Sequence, residues 1–150
     1  MIIDIIAIII AALSLIISIF AAISQHNQQK NIHQASLNAK YHEIIFIQHL
    51  IHDIPDTRKY IRFDETGRLT DTEKFTTELN TMLSGALYYK YKDYAFYKKM
   101  KKSIEELEDY VMGCGNKTHE QEEQAEVYKV ISEKLEIVYE IINDQYLGKK

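Results

Sequence analysis

Hydrophobic side chains dominate the first twenty-five residues of the chain. From Ile5 to Ile23 there are nineteen residues with no charge, no Pro and no Gly, and only two serines are polar. At about 1.5 Å per residue, a helix of this length spans roughly 28 Å, close to the ~30 Å hydrocarbon core of a bilayer. The pattern predicts a transmembrane helix over residues 1–25, followed by a second region over residues 26–150.

Small and polar residues recur at steps of three and four along this run, so that they share one face of a helix. A stripe of this kind lets a helix pack closely against copies of itself or line a polar path, and a plain anchor has no need of it. The residues predicted to line a pore or an oligomer seam are Asp4, Ala7, Ala11, Ser14, Ser18, Ala21, Gln25 and Gln28.

A heptad count continues the same seam beyond the apolar run. Because no Gly or Pro occurs between Met1 and Ile54, one unbroken helix of more than fifty residues is the favoured prediction. A break within the polar residues 24–31, where helix propensity is moderate, is the alternative. In an oligomer the seam histidines would form rings that repel when protonated. The continued seam consists of Ile32, Ala35, Ala39, His42, Phe46 and His49.

Pro55 opens the longest predicted connection, a loop over residues 55–69 with a turn at Gly67. A helix is expected to begin at the capping-box-like residues 70–73. Its buried face, at helical spacing, is predicted to contain Phe75, Leu79, Met82, Leu83 and Ala86.

Two further amphipathic stripes predict the remaining helices. The first helix is expected to end at Gly113 or Gly115 as a left-handed glycine, and the second to begin with Asn116 or Thr118 as its N-cap. For the segment before the first stripe, the sequence leaves two structures open: a helix–helix junction near Asp93, or an unbroken continuation of the helix. The stripes consist of Tyr97, Met100, Ile104, Leu107 and Val111, and of Ala125, Tyr128, Ile131, Leu135, Val138 and Ile142. The predicted fold class is all-α, a single N-terminal transmembrane helix continuing into a small cytosolic bundle of about four helices.

Composition and charge narrow the possible functions. The net charge of −4 gives no global basicity that would favour nucleic acid, and a single Cys excludes an internal disulfide. No Lys or Arg precedes the apolar run, whereas Lys30 and Lys40 follow it. The positive-inside rule therefore predicts an outward N-terminus and a cytoplasmic C-terminal domain. A cleaved signal peptide would need a basic start and a shorter apolar core, so an uncleaved anchor is favoured.

Residues 88–102 form a second candidate surface, which contains six lysines and six aromatic residues. Such a surface is suited to nucleic acid, to anionic lipid headgroups, or to a cytosolic protein partner. The favoured interpretation is ordinary, with tyrosines packed in the bundle and lysines solvated. The candidate contact residues are Lys90, Lys92, Lys98, Lys99, Lys101 and Lys102.

Neither catalysis nor metal binding is predicted. His49, His52 and Asp53 lie within about one helical turn, but no Cys or Glu stands at a ligand-like spacing beside them. Cys114 lies between two glycines with His119 five residues on, and a loop thiol of this kind is usually incidental. The chain has no nucleophile elbow, zinc-protease motif or phosphate-binding loop. We therefore expect no enzyme activity, no cofactor and no metal.

A membrane span followed by a small helical bundle, in a chain rich in Lys, Ile and Tyr, resembles one group of antiviral proteins. These are the small membrane accessory proteins of RNA-targeting type VI-B CRISPR systems. The resemblance covers the whole chain at the level of architecture, and it implies a HEPN-like cytosolic domain and assembly into a membrane pore. Active HEPN nucleases carry an Arg followed by a His after four to six residues, whereas Arg58, Arg62 and Arg68 have no such partner. The resemblance therefore implies a pore without ribonuclease activity.

The residue spacing predicts a homo-oligomeric membrane protein that forms a pore or channel-like assembly and would permeabilise or depolarise the membrane. The resemblance implies that this membrane is the bacterial inner (plasma) membrane, that the role is CRISPR-linked antiphage defence, and that a cytosolic partner would be an RNA-guided effector. The alternative is a membrane-tethered helical scaffold or adaptor that binds a cytosolic partner without forming a pore.

Overall fold

A computed structural model describes the backbone of residues 2–148 and the side chains of residues 13–148. Contacts divide the chain into two compact units, Met1–Lys40 and Tyr41–Lys150. The helices in chain order are α1 (Ile2–His42), α2 (Ile54–Arg58), α3 (Glu73–Gly85), α4 (Leu87–Lys92), α5 (Tyr94–Gly115) and α6 (Gln121–Leu147). Two π-helical segments, Glu43–Ile47 and His49–Asp53, lie between α1 and α2, and strands β1 (Arg62–Phe63) and β2 (Leu69–Thr70) lie between α2 and α3. The predicted all-α class is confirmed, since each strand has only two residues.

The chain is helical from Ile2 to Arg58, with no break in residues 24–31. The favoured prediction of continuity is confirmed for these residues. The predicted boundary at residue 25 marks the end of a membrane span, whereas the division between residues 40 and 41 comes from contacts within the chain. The predicted boundary therefore stays a prediction.

Pro55 does not end the helix, so the predicted loop over residues 55–69 is wrong in its first part. Pro55 lies in the first turn of α2, directly after a π-helical segment. Proline removes one backbone N–H from a helix, and here it follows a π-helical segment, in which the regular hydrogen-bond pattern is already altered.

The rest of the predicted loop is a β-hairpin. Arg62 pairs with Thr70 and Phe63 with Leu69 in antiparallel register. Asp64 Oδ1 closes the turn by accepting hydrogen bonds from the backbone N–H of Thr66 at 2.9 Å and of Arg68 at 3.0 Å. Strands of two residues carry too little alternation to be recognised from a sequence pattern.

The core of the second unit forms from the predicted faces of α3 and α5. Every residue of the α5 stripe is buried, and the α3 face is buried except for Leu83, which packs against the core from a partly exposed position. In α6 the prediction is wrong at Ala125 and Tyr128, because Val127 and Ile141 are buried instead. The Tyr128 hydroxyl donates to the backbone carbonyl of Ile61 at 3.3 Å, which keeps this residue at the surface.

The three helix junctions differ in how far the sequence predicted them. Asp93 separates α4 from α5, which is one of the two arrangements that the sequence left open, and its side chain accepts a hydrogen bond from the Phe96 N–H at 3.1 Å. α5 ends at Gly115, one of the two predicted residues, but neither Gly113 nor Gly115 has a left-handed backbone, so the predicted C′ glycine is wrong. The N-cap of α6 is Glu120, in a capping box with Glu123, instead of Asn116 or Thr118. A Glu at the N-cap departs from the usual preference for short polar side chains, which is why the sequence pattern missed it.

Candidate functional site

The N-terminal part of α1 carries a broad apolar surface. Between Leu13 and Ile23, seven large hydrophobic side chains are 50–70% exposed. At about 100° per residue they occupy roughly 200° of the helix circumference. They are Leu13, Leu15, Ile16, Ile17, Ile19, Phe20 and Ile23. An apolar surface of this width needs a cover other than water.

The predicted polar stripe lies in the remaining sector, about 80° wide on the same helical count. The Ser18 hydroxyl donates to the backbone carbonyl of Ser14 at 2.8 Å, so its hydrogen-bonding capacity is met within the helix. Within the first unit, the described stripe residues are all exposed: Ser14, Ser18, Ala21, Gln25 and Gln28. The side chains of Asp4, Ala7 and Ala11 lie outside the described residues.

The predicted seam becomes buried near the end of the helical stretch. His42 is 6% exposed and Phe46 is fully buried. The His42 ring lies 5.3 Å from the Phe46 ring and 4.5 Å from the Tyr146 ring, centroid to centroid. The predicted ring of seam histidines is therefore wrong at His42, because this side of the helix packs into the core of the bundle.

Burial also alters the titration of His42. Removal from water lowers the pKa of the imidazole, and a hydrogen bond with the backbone of Ile142 offsets part of that shift. The Nε2 atom is buried without a hydrogen-bond partner. The neutral form of His42 is the form that this environment favours.

The Tyr/Lys segment is partly core and partly surface. Tyr89, Phe96 and Tyr97 are buried, as the ordinary interpretation expects, whereas Tyr91 is 87% and Tyr94 is 61% exposed. Five of the candidate lysines are exposed and one is half-buried: Lys90, Lys92, Lys98, Lys99 and Lys102, and Lys101.

Acidic residues one turn along α5 reduce the positive charge of this surface. Lys101 forms an ion pair with Glu105, and Lys102 Nζ lies 3.5 Å from Glu106 Oε1. The Lys92 ammonium lies 5.2 Å from the centre of the Tyr88 ring. The role of these lysines in binding a partner stays a prediction.

A cluster of one imidazole and two carboxylates joins a π-helical segment to α3. His49 Nδ1 contacts Glu78 Oε1 and lies 3.5 Å from Asp53 Oδ2. The three side chains are 18%, 33% and 21% exposed for His49, Asp53 and Glu78. Sequence reasoning missed the cluster because Glu78 lies 29 residues from His49, and no periodic signal joins them.

Cys114 lies inside α5 and is buried, so its predicted place in a loop is wrong. Burial raises the pKa of its thiol, and a hydrogen bond with Tyr110 works against that shift. A buried thiol with a raised pKa is a poor nucleophile.

Within the described part of the chain, no helix has a stretch both long enough and apolar enough to cross a bilayer. The chain matches no family model, and neither a curated protein nor a solved structure is significantly similar to it.

Proposed function

We propose that the chain is a homo-oligomeric membrane protein whose N-terminal helices associate through the polar stripe. The observation that carries the proposal is the exposed apolar surface between Leu13 and Ile23. Complete burial of a Leu, Ile or Phe side chain contributes about 1.5–3 kcal/mol, so covering seven such side chains, each 50–70% exposed, contributes roughly 6–13 kcal/mol. A bilayer supplies such a cover on all sides of a helix.

The span in this proposal is the uncharged run Ile5–Ile23 of the sequence, of which residues 5–12 have side chains outside the described ones. Lipid covers the wide apolar sector, and the narrow stripe of Ser14, Ser18 and Ala21 faces neighbouring copies. Small side chains let helix backbones approach closely, and the Ser18 hydroxyl needs no outside partner in that interface. The N-terminus faces outward and the second unit lies in the cytoplasm of a bacterium.

In this proposal the assembled helices form a pore that permeabilises or depolarises the inner membrane. The resemblance to the membrane accessory proteins of type VI-B CRISPR systems adds a role in antiphage defence, and the defence role rests on that resemblance alone. The proposal includes no enzymatic step and no ribonuclease activity.

The alternative proposal is a membrane-tethered adaptor without a pore. The exposure of Tyr91 and Tyr94 favours it, since tyrosines are enriched at protein interfaces and Tyr91 lies between the exposed Lys90 and Lys92. In that case the stripe of α1 would pack on a different membrane helix.

Ion flux through proteoliposomes tests the pore with two matched triple variants. Ser14→Leu, Ser18→Leu and Ala21→Leu together fill the stripe with bulky side chains, and we expect ion flux to fall at least about tenfold. Ile16→Leu, Ile19→Leu and Ile23→Leu lie on the opposite face, and they leave flux unchanged because they keep the apolar volume.

The two proposals give different outcomes in this assay. Equal flux from both triple variants and the wild type would show that the stripe is not the pore lining. Absence of flux from the reconstituted wild-type protein would favour the adaptor.

A further inference from the structure

We propose that His49, Asp53 and Glu78 bind a divalent transition-metal cation such as Zn²⁺. One donor atom from each side chain lies within 4.8 Å of the other two. An imidazole nitrogen with two carboxylate oxygens is a donor set that Zn²⁺, Fe²⁺ and Mn²⁺ accept. The site is independent of the membrane proposal, because all three residues belong to the second unit.

Charge is the first argument for a cation at this position. His49 Nδ1 faces both carboxylates, so an imidazole with a bare lone pair at Nδ1 would point at two anionic groups. Either a proton on Nδ1 or a metal ion relieves that repulsion. Neither Asp53 nor Glu78 forms an ion pair with a Lys or Arg among the described salt bridges, so neither of these side-chain cations balances the charge of the two carboxylates there.

The spacing of the donors is the second argument. In a tetrahedral zinc site with bonds of about 2.1 Å, neighbouring donor atoms lie about 3.4 Å apart. The distance from His49 Nδ1 to Asp53 Oδ2 is 3.5 Å, close to that separation. Glu78 is in direct contact with His49, so a metal would need its flexible side chain to retreat by a rotamer adjustment.

The surroundings hold the donors and leave access for an ion. Gln48 Nε2 donates to Asp53 Oδ1 at 3.1 Å, which orients the carboxylate with Oδ2 towards His49. Such outer hydrogen bonds commonly support metal ligands. Each of the three side chains keeps between 18% and 33% of its surface exposed, enough for an ion to enter and for water to complete its coordination.

The π-helical backbone is the third argument. His49 and Asp53 are the first and last residues of a π-helical segment, and such segments occur frequently at functional sites. Since Glu78 belongs to α3, a bound ion would tie this segment to the bundle.

Isothermal titration of Zn²⁺ and, separately, Mn²⁺ into the metal-stripped full-length protein in detergent tests the site. We expect about one Zn²⁺ per chain. Glu78→Gln and Asp53→Asn each remove a charged donor while keeping side-chain shape, so each is expected to weaken binding at least tenfold. His33→Ala and Glu65→Gln, at exposed positions, serve as controls that leave binding unchanged.

Tyrosine circular dichroism of each variant establishes that its bundle is folded before its affinity is compared. No Zn²⁺ or Mn²⁺ binding by the wild-type chain would overturn the proposal, leaving His49 and Glu78 as a hydrogen-bonded pair. Binding that persists unchanged in both Glu78→Gln and Asp53→Asn would place the metal elsewhere and overturn it equally.

Discussion

Gly67 shows how a single residue fixes a loop in this protein. Its φ is +75°, in the left-handed region, and its backbone carbonyl accepts a hydrogen bond from the His119 N–H at 2.8 Å. A Cβ atom at this position would lie 2.4 Å from the His119 carbonyl oxygen. Gly67 therefore permits both the turn of the hairpin and the close approach of the chain between α5 and α6.

Gly67→Ala is expected to destabilise the second unit by at least about 2 kcal/mol, since it adds backbone strain and a clash with rigid backbone. Gly113→Ala is the matched control, because a Cβ atom there meets nothing within 4 Å and the position is helical. It should be neutral or stabilise by up to about 1 kcal/mol. Urea unfolding followed by tyrosine circular dichroism measures both, since all eleven tyrosines lie at or after Tyr41. Equal unfolding midpoints for the two variants would contradict this account.

His42 makes the stability of the second unit depend on pH. Its folded pKa is lowered by burial, whereas the unfolded chain protonates this side chain near the ordinary value of about 6.5. Below that pH the unfolded state therefore binds more protons, and the free energy of unfolding falls as pH drops from about 6.5 towards the folded pKa.

His42→Phe removes this titration, so the melting temperature of the variant is expected to change less between pH 7 and pH 5 than that of the wild type. His33→Gln, at an exposed position of α1, should keep the wild-type slope. Thermal melts at five or six pH values measure how the melting temperature of each protein depends on pH. Parallel curves for His42→Phe and the wild type would mean that His42 does not contribute to the slope.

At the scale of elements, periodicity predicted the long helices well and their ends poorly. The α5 stripe from Tyr97 to Val111 is buried throughout, because a long amphipathic helix repeats its signal many times. Helix ends depend on one or two residues and on contacts far along the chain. Gly115, for example, is the last residue of α5 but lacks the left-handed backbone of a C′ glycine, and a Cβ atom added there would lie 3.2 Å from the carbonyl oxygen of Leu69. A glycine required by packing looks the same in sequence as a left-handed glycine that follows a helix.

Packing between α5 and its neighbours is expected to dominate the stability of the second unit. Ile104 is fully buried in α5, so Ile104→Ala should cost about 2–5 kcal/mol through lost burial and the cavity left behind. Ile137→Ala makes the same chemical change at a position of α6 that is 49% exposed, and it should cost less than about 1 kcal/mol. Chemical denaturation of both variants checks the difference. Comparable losses would show that Ile104 is not a core residue in solution.

At the scale of the whole molecule, the two candidate sites differ in how far sequence could reveal them. The stripe from Ser14 to Gln28 is local, so helical spacing alone places its members on one face. The cluster of His49, Asp53 and Glu78 joins separate elements, and only the packing of α3 brings Glu78 to the histidine. Packing against other helices likewise buries His42 and Phe46, which the heptad count assigned to an open seam: His42 lies against Tyr146 of α6, and Phe46 against Tyr89 of α4 and Phe96 of α5.

The central claim is that this chain assembles with copies of itself through its N-terminal helix. The most direct test is the protein mass of the full-length chain in detergent, separated from the detergent mass by light scattering with conjugate analysis. The account predicts a single species whose protein mass is a whole-number multiple, greater than one, of the 17.6 kDa chain. A uniform protein mass of one chain, across detergents that keep the second unit folded, would contradict it.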